Sequence, residues 1–133
     1  MKSLSAIEAK YRRGKLRSES TRLWKNTDAL IQNEIVRSIE LLAEEVIVIC
    51  FYSNDDYWWV ITNKRLIVKE SPKVYYIFLS DIEKIRIEDM VYSNSSKLSS
   101  QTLFLEYKQG SLGLKLEKGT WHVIYDILKF ITH

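Results

Sequence analysis

The sequence predicts an α+β fold that is mainly β: a seven-stranded antiparallel barrel capped by a C-terminal helix, with a helical extension at the N-terminus. Three observations carry that expectation. The apolar period changes from helical to alternating near Glu45, turn formers then recur at short intervals, and the chain ends on an apolar stripe at helical spacing. With 133 residues, 46% of them hydrophobic and only four Gly and one Pro, the chain suffices for one buried core and is too short for two. Disorder, collagen-like repeats and multidomain layouts are excluded.

Residues 1–44 read as the helical extension. Leu4, Ile7 and Tyr11 form a stripe that Gly14 interrupts, and Leu16, Leu23 and Trp24 resume a similar spacing, which predicts one or two short helices. From Asn26 or Thr27, both N-cap types, the set Leu30, Ile31, Ile35, Ile39 and Leu42 predicts an amphipathic helix reaching about Glu44, with Glu34, Arg37 and Glu40 opposite. Its apolar stripe must be buried, and an open barrel edge is the obvious berth.

Residues 45–133 read as the barrel domain. Its strands are Val46 to Tyr52, Tyr57 to Thr62, Leu66 to Glu70, Val74 to Leu79, Lys84 to Tyr92, Thr102 to Lys108 and Leu112 to Glu117. Between them lie Ser53 to Asp56, Asn63 to Arg65, Ser71 to Lys73, Ser80-Asp81, the serine-rich 93–101 and Gln109 to Ser111, all rich in turn formers. Alternation is cleanest late in the chain, where Ile85 and Ile87, then Leu103 and Leu105, then Leu112, Leu114 and Leu116 are interleaved with charged or exposed types. After Gly119, Thr120 offers an N-cap for a helix whose apolar face is Trp121, Ile124, Tyr125, Leu128 and Ile131. That helix plugs the open end of the curled sheet.

Little enzyme chemistry is legible. The two histidines, His122 and His133, stand far apart with a single distant cysteine, so no zinc spacing and no metal site are expected. Phosphate-loop, nucleophile-elbow and dinucleotide fingerprints are missing, so no cofactor is expected. Adjacent Glu44-Glu45 and Asp55-Asp56 project to different sides of regular structure and make poor acid/base couples. Cys50 sits inside the apolar run Val46 to Tyr52 and reads as a buried hydrophobe. That run is the longest in the chain, far short of the roughly 20 residues a membrane-spanning helix needs.

The run Trp58-Trp-Val-Ile-Thr-Asn-Lys-Arg-Leu-Ile-Val68, followed by Ile77-Phe-Leu-Ser-Asp-Ile-Glu-Lys-Ile85, resembles the bacterial pleckstrin-homology-like domains. The Thr62 to Leu66 turn and the Leu79 to Ile82 corner are similar to their recurrent signatures. The resemblance covers roughly Glu45 to His133 and implies a bent seven-stranded antiparallel barrel with a C-terminal helix. For the Thr62 to Arg65 turn, a hairpin with Asn63 at positive φ is expected. Inositol-phosphate capture in such domains would put cations on the loop between the first two strands. Here that loop holds Asp55 and Asp56, with Lys69, Glu70, Lys73 and Lys108 read as neighbours, so the basic funnel is missing. Protein-binding relatives lay a peptide beside strand five and the terminal helix, which implies a surface of Arg86, Glu88, Met90, Asp126 and Lys129.

The net charge of +3 hides an asymmetry: residues 1–28 carry eight Lys or Arg against three Asp or Glu, and the remainder twelve against fourteen. Lys10, Arg12, Arg13, Lys15, Arg17, Arg22 and Lys25 could meet anionic lipid or nucleic-acid phosphates. At about 100° per residue, however, the first five encircle a helix rather than forming one face. Charged residues Glu8, Lys10, Arg12 and Arg13 also stand where a secretory signal needs an apolar run, which places the chain in the cytoplasm. The expected function is a non-enzymatic binding module with a protein partner or a second copy of itself. The first alternative is peripheral attachment to an anionic membrane at its inner face; nucleic-acid binding ranks lower. The loop 93–101 is a further candidate contact or modification segment.

Overall fold

A computed structural model of the protein describes residues 2–87 and 102–132. Helix α1, Leu4–Arg13, starts at Ser3, whose hydroxyl accepts from the Ala6 N–H, and it buries Ile7. Strand β1, Thr21–Leu23, leads through a 3-10 turn over Trp24–Asn26 to helix α2, Ala29–Arg37. Four strands follow: β2 Ile47–Asn54, β3 Tyr57–Thr62, β4 Arg65–Glu70 and β5 Lys73–Phe78. A second 3-10 turn, Leu79–Asp81, rounds the corner into β6, Ile82–Ile87. Then come β7 Thr102–Tyr107, β8 Gly110–Lys115 and the terminal helix α3, Trp121–Thr132.

The eight described strands pair antiparallel in two sheets, ordered β1-β2-β3-β4-β5 and β6-β7-β8. The expected barrel of seven strands is therefore corrected to eight described strands in two open sheets of five and three. The extra strand is β1, from the segment expected to be helical. Thr21 and Leu23 are buried and Arg22 is exposed, the alternation of a strand, and Thr21 and Leu23 stand opposite Phe51 and Ile49 of β2. Pairing there covers a sheet edge that would otherwise lie open. The Glu117 carboxylate then anchors the strand, accepting from the N–H groups of Glu19 and Ser20 at 2.8 and 3.0 Å and from the Thr21 hydroxyl at 2.8 Å. The strand predicted over 84–92 is described only to Ile87, and the rest of it, with the serine-rich loop, lies outside the described residues.

Two apolar clusters result. The larger lies between the sheets and under α3, where Trp59, Ile61, Leu66, Val68, Ile85, Leu103, Leu105 and Leu114 meet Ile124, Ile127 and Leu128. Ile7 and Leu23 join it from the N-terminal segment. The smaller cluster lies on the opposite face of the first sheet, where Ile35 of α2 covers Ile47, Cys50, Trp58, Val60 and Ile67. Helix α2 thus lies across the outer face of β2 to β4 rather than along a sheet edge. It is also shorter than its periodicity predicts, running from Asp28, whose carboxylate accepts from the Leu30 N–H at 2.7 Å, only to Arg37.

Helix α3 starts from the Thr120 carbonyl, which accepts from Val123 and Ile124, while the Thr120 hydroxyl donates back to the Glu117 carbonyl at 2.6 Å. The expected side-chain cap is thereby replaced by a turn lock. Gly119 precedes it at φ +85, a backbone region that glycine enters without strain. Gly14, at the end of α1, lets that helix approach α3: a Cβ there would lie 2.7 Å from both Val123 methyl carbons. Cys50 is buried as expected, and burial pushes its thiol up to about 12.

Candidate protein interface

The Thr62-Asn63-Lys64-Arg65 turn between β3 and β4 carries a dense set of hydrogen bonds. Arg65 grips the Glu45 carboxylate with both ends of its guanidinium, Nε to Oε2 at 2.9 Å and Nη2 to Oε1 at 2.7 Å. The two side chains are 8% and 0% exposed, so this is a buried ion pair. The Thr62 hydroxyl donates to Glu45 Oε2 at 2.6 Å, and the Leu42 N–H donates to Oε1 at 2.8 Å. Burial alone would raise the Glu45 carboxyl. The bonds from Arg65, Leu42 and Thr62 and the Arg65 charge outweigh it and hold the group below the ordinary carboxylate range.

Every residue of the turn reaches back to the segment that follows α2. Arg65 Nη2 donates to the Glu40 carbonyl at 2.8 Å, Lys64 Nζ to that of Ala43 at 2.7 Å, and the Asn63 amide to that of Glu44 at 3.1 Å. Asn63 Oδ1 in turn accepts from the Val46 N–H at 2.8 Å. These bonds explain why α2 ends early, since residues 40–46 satisfy their backbone on the turn rather than in a helix. Asn63 does not take the positive φ expected of it. The left-handed position belongs to Glu44, at φ 62, which turns the chain so that Glu45 faces inward.

Exposed apolar side chains stand beside this polar anchor, together with the exposed Glu40 and Glu44. The Arg65 guanidinium lies 4.7 Å from the Tyr76 ring centroid, and Arg65 is directly opposite Phe78 in the β4–β5 ladder. Tyr76 and Phe78 are 42% and 45% exposed, and Leu41, Leu42 and Val46 are exposed beside the same anchor. Because β5 is the outermost strand of its sheet, these two aromatics stand on an edge with unpaired backbone groups among the described residues.

Of the residues expected to bind a protein, three are described, Arg86 on β6 and Asp126 and Lys129 on α3. Arg86 sits with Phe104 and Glu106 on the solvent face of the second sheet, 5.8 Å from the ring centroid and 3.5 Å from Oε2. Asp126 lines a small cavity between α1 and α3 with Lys10 and Arg13. Lys129 lies over Tyr125 on the same helix, at 6.0 Å. Glu88 and Met90 lie outside the described residues.

The N-terminal cations fall into separate settings. Arg12 and Lys25 share Glu8 at 3.9 and 3.4 Å, Lys10 faces the Phe130 ring at 5.3 Å, and Arg22 lines a cavity with Glu19 and Asp28. Lys15 and Arg17 are exposed in the connection between α1 and β1. No helix of the described residues is long and apolar enough to cross a membrane, and among those residues no cluster of ligating side chains could hold a metal ion.

The β2–β3 loop is held by its own side chains. Asn54 Oδ1 accepts from the N–H groups of Asp56 and Tyr57, and the Tyr52 hydroxyl donates to Asp55. Burial and that bond push Tyr52 up to about 12. Lys108, expected at this rim, is instead at the opposite end of β8. Its N–H donates to the Asp81 carbonyl at 3.1 Å and its ammonium lies 3.6 Å from Asp81 Oδ1, whereas it is Lys115 whose backbone meets Tyr57.

No protein-family model matches the chain, and no curated protein matches it either. Among solved structures, the crystal structure at 2.00 Å of a DUF1696 family protein with a pleckstrin-homology domain, from Shewanella loihica PV-4, is similar to it. The two superpose with a TM-score of 0.56 over 87% of this chain and 100% of the other, at 18% identity. The fold is pleckstrin-homology-like. Sequence reasoning found that frame from the turn and corner motifs but did not single out Glu45, Arg65, Tyr76 or Phe78. It weighed Glu45 only as half of an acid pair with Glu44, and Arg65 only as part of a turn. The available signal was the alternation Val74, Tyr76, Phe78, which leaves aromatics on the outward face of a strand.

Proposed function

We propose that this PH-like chain is a non-enzymatic binding module that engages a protein partner, or a second copy of itself, at the β5 edge. The observation that carries the reading is the pair Tyr76 and Phe78, nearly half exposed on an edge strand and backed by the buried Arg65–Glu45 pair. An added strand would satisfy the free N–H and C=O groups of β5, and the two aromatic faces would supply apolar contact on alternate positions. Holding the guanidinium under Tyr76 pre-organises that surface and reduces the ordering cost of association.

The test compares the full chain with a Tyr76→Lys, Phe78→Lys variant whose fold is checked by circular dichroism. Sedimentation across a concentration series reads self-association, and capture from the native host reads partners, both at raised salt. The expected result is salt-resistant association or capture by the native chain and its loss in the variant. Equal behaviour of the two proteins rejects the β5 edge as the interface. Neutralising the N-terminal cations is preferable to deleting residues 1–28 as a membrane control, because Ile7 and Leu23 belong to the core.

A further inference from the structure

At the far end of β5 from the Lys73 turn, a cavity of about 630 Å³ opens between the N-terminus of α1, the C-terminus of α3, the β3–β4 turn and the Leu79–Asp81 corner. Its size falls within the range of small-molecule sites. The floor and walls are Ile7, Phe78, Leu79 and Ile131, of which Ile7 and Leu79 are 1% and 5% exposed. The polar lining consists of Lys2, Asn63, Lys64, Ser80 and Thr132, and no carboxylate side chain is among the described lining residues.

Neither lysine is spent. Lys64 Nζ uses one of its three donors on the Ala43 carbonyl at 2.7 Å and keeps the others. Lys2 Nζ is held 4.7 Å from the Phe130 ring centroid, a contact that fixes an ammonium without consuming its N–H groups. Two lysines beside an apolar floor, with no carboxylate side chain among the described lining residues, match a ligand that carries one anionic head on an apolar body. The β2–β3 loop, by contrast, offers an anion two carboxylates.

We infer that this cavity is a binding site for a monoanionic amphiphile of the fatty-carboxylate class, its head between Lys2 and Lys64 and its chain along Ile7, Phe78, Leu79 and Ile131. The cavity shares Phe78 with the proposed β5 interface, but the inference needs no partner protein, and its test is read on the lysines, which that interface does not use. Titration of the full chain with decanoate below its micellar range, followed by calorimetry and by amide NMR shifts, tests it. Decanol serves as the neutral control, and phosphatidylglycerol vesicles as a control for a lipid surface. Saturable binding of decanoate with shifts at Lys2, Lys64, Ser80 and Ile131 is expected. A folded Lys2→Gln, Lys64→Gln variant should bind about tenfold more weakly or worse, since each lost contact is a charge-assisted hydrogen bond. Equal binding of decanol, unchanged affinity in the double variant, shifts confined to another face, or vesicle binding that decanoate fails to compete would each overturn the assignment.

Discussion

The two sheets of this protein solve the burial problem differently. In the first, every residue of β3 is buried, because Trp59 and Ile61 face the inner cluster while Trp58 and Val60 face α2. In the second, β6 buries Ile82, Ile85 and Ile87 and exposes Glu83, Lys84 and Arg86. A strand covered on both faces has no wet side, so its sequence is an unbroken apolar run, whereas a strand covered on one face alternates. The difference between Trp58-Trp-Val-Ile and Ile85-Arg-Ile is therefore a record of how many layers lie over each strand.

The largest effect expected from this contrast concerns aromatics on the outer faces. Trp58→Ala should cost about 3–5 kcal/mol, as for a core tryptophan, because α2 makes that face interior. Phe104→Ala, on the outer face of the half-buried β7, should cost less than about 1.5 kcal/mol in the same denaturant titration. Comparable losses would erase the distinction between two-sided and one-sided sheets.

Next in size is the ion pair that ties the α2–β2 connection to the first sheet. Glu45→Gln leaves the Arg65 charge buried without its partner and should cost about 3 kcal/mol at neutral pH. Since the folded Glu45 carboxyl titrates below its ordinary range, its contribution is complete above the unfolded value of about 4.3. It is lost as pH falls through the lower folded value. Stability measured from pH 7 to 3 should accordingly drop more steeply in the native chain than in the Gln variant, and parallel curves would deny the pair that role.

A third test addresses the second sheet, whose inner face depends on α3 for cover. Gly14→Ala would drive a methyl group to 2.7 Å from the Val123 side chain and separate α1 from α3. We expect a loss of about 1–3 kcal/mol, with added amide exchange in α3 and little in β3. Uniform loosening of both sheets would show instead that the α1–α3 contact supports the molecule as a whole. Smallest of all, Arg86→Ala should change stability by less than about 0.5 kcal/mol, because its pair with Glu106 is 63% and 43% exposed.

Much of this architecture was legible locally. Tyr57 to Thr62 is a strand at the residues its turn signals predicted, and Trp121 begins the terminal helix as its spacing required. The misreadings share a cause. Leu23 and Trp24 stand at a spacing compatible with a helix, yet Thr21 to Leu23 gain more by closing the β2 edge under the Glu117 carboxylate, a partner about a hundred residues away in the chain. Likewise Ile39 and Leu42 continue a helical period, while the carbonyls of Glu40, Ala43 and Glu44 are drawn to the β3–β4 turn. The candidate interface was hidden for the same reason, because Glu45 and Arg65 acquire meaning only as a pair.

By itself, then, the chain's pattern of apolar and turn residues determined that a β-rich domain would end on an amphipathic helix, since strand and helix periods are local properties of side-chain direction. Tertiary structure alone decided that β1 joins the sheet, that α2 covers its outer face, that Glu45 and Arg65 are buried together beneath Tyr76, and that two lysines overlook one apolar cavity. Each of those outcomes turns on which distant group satisfies a buried polar atom or covers an apolar face, and sequence spacing carries no information about that distance.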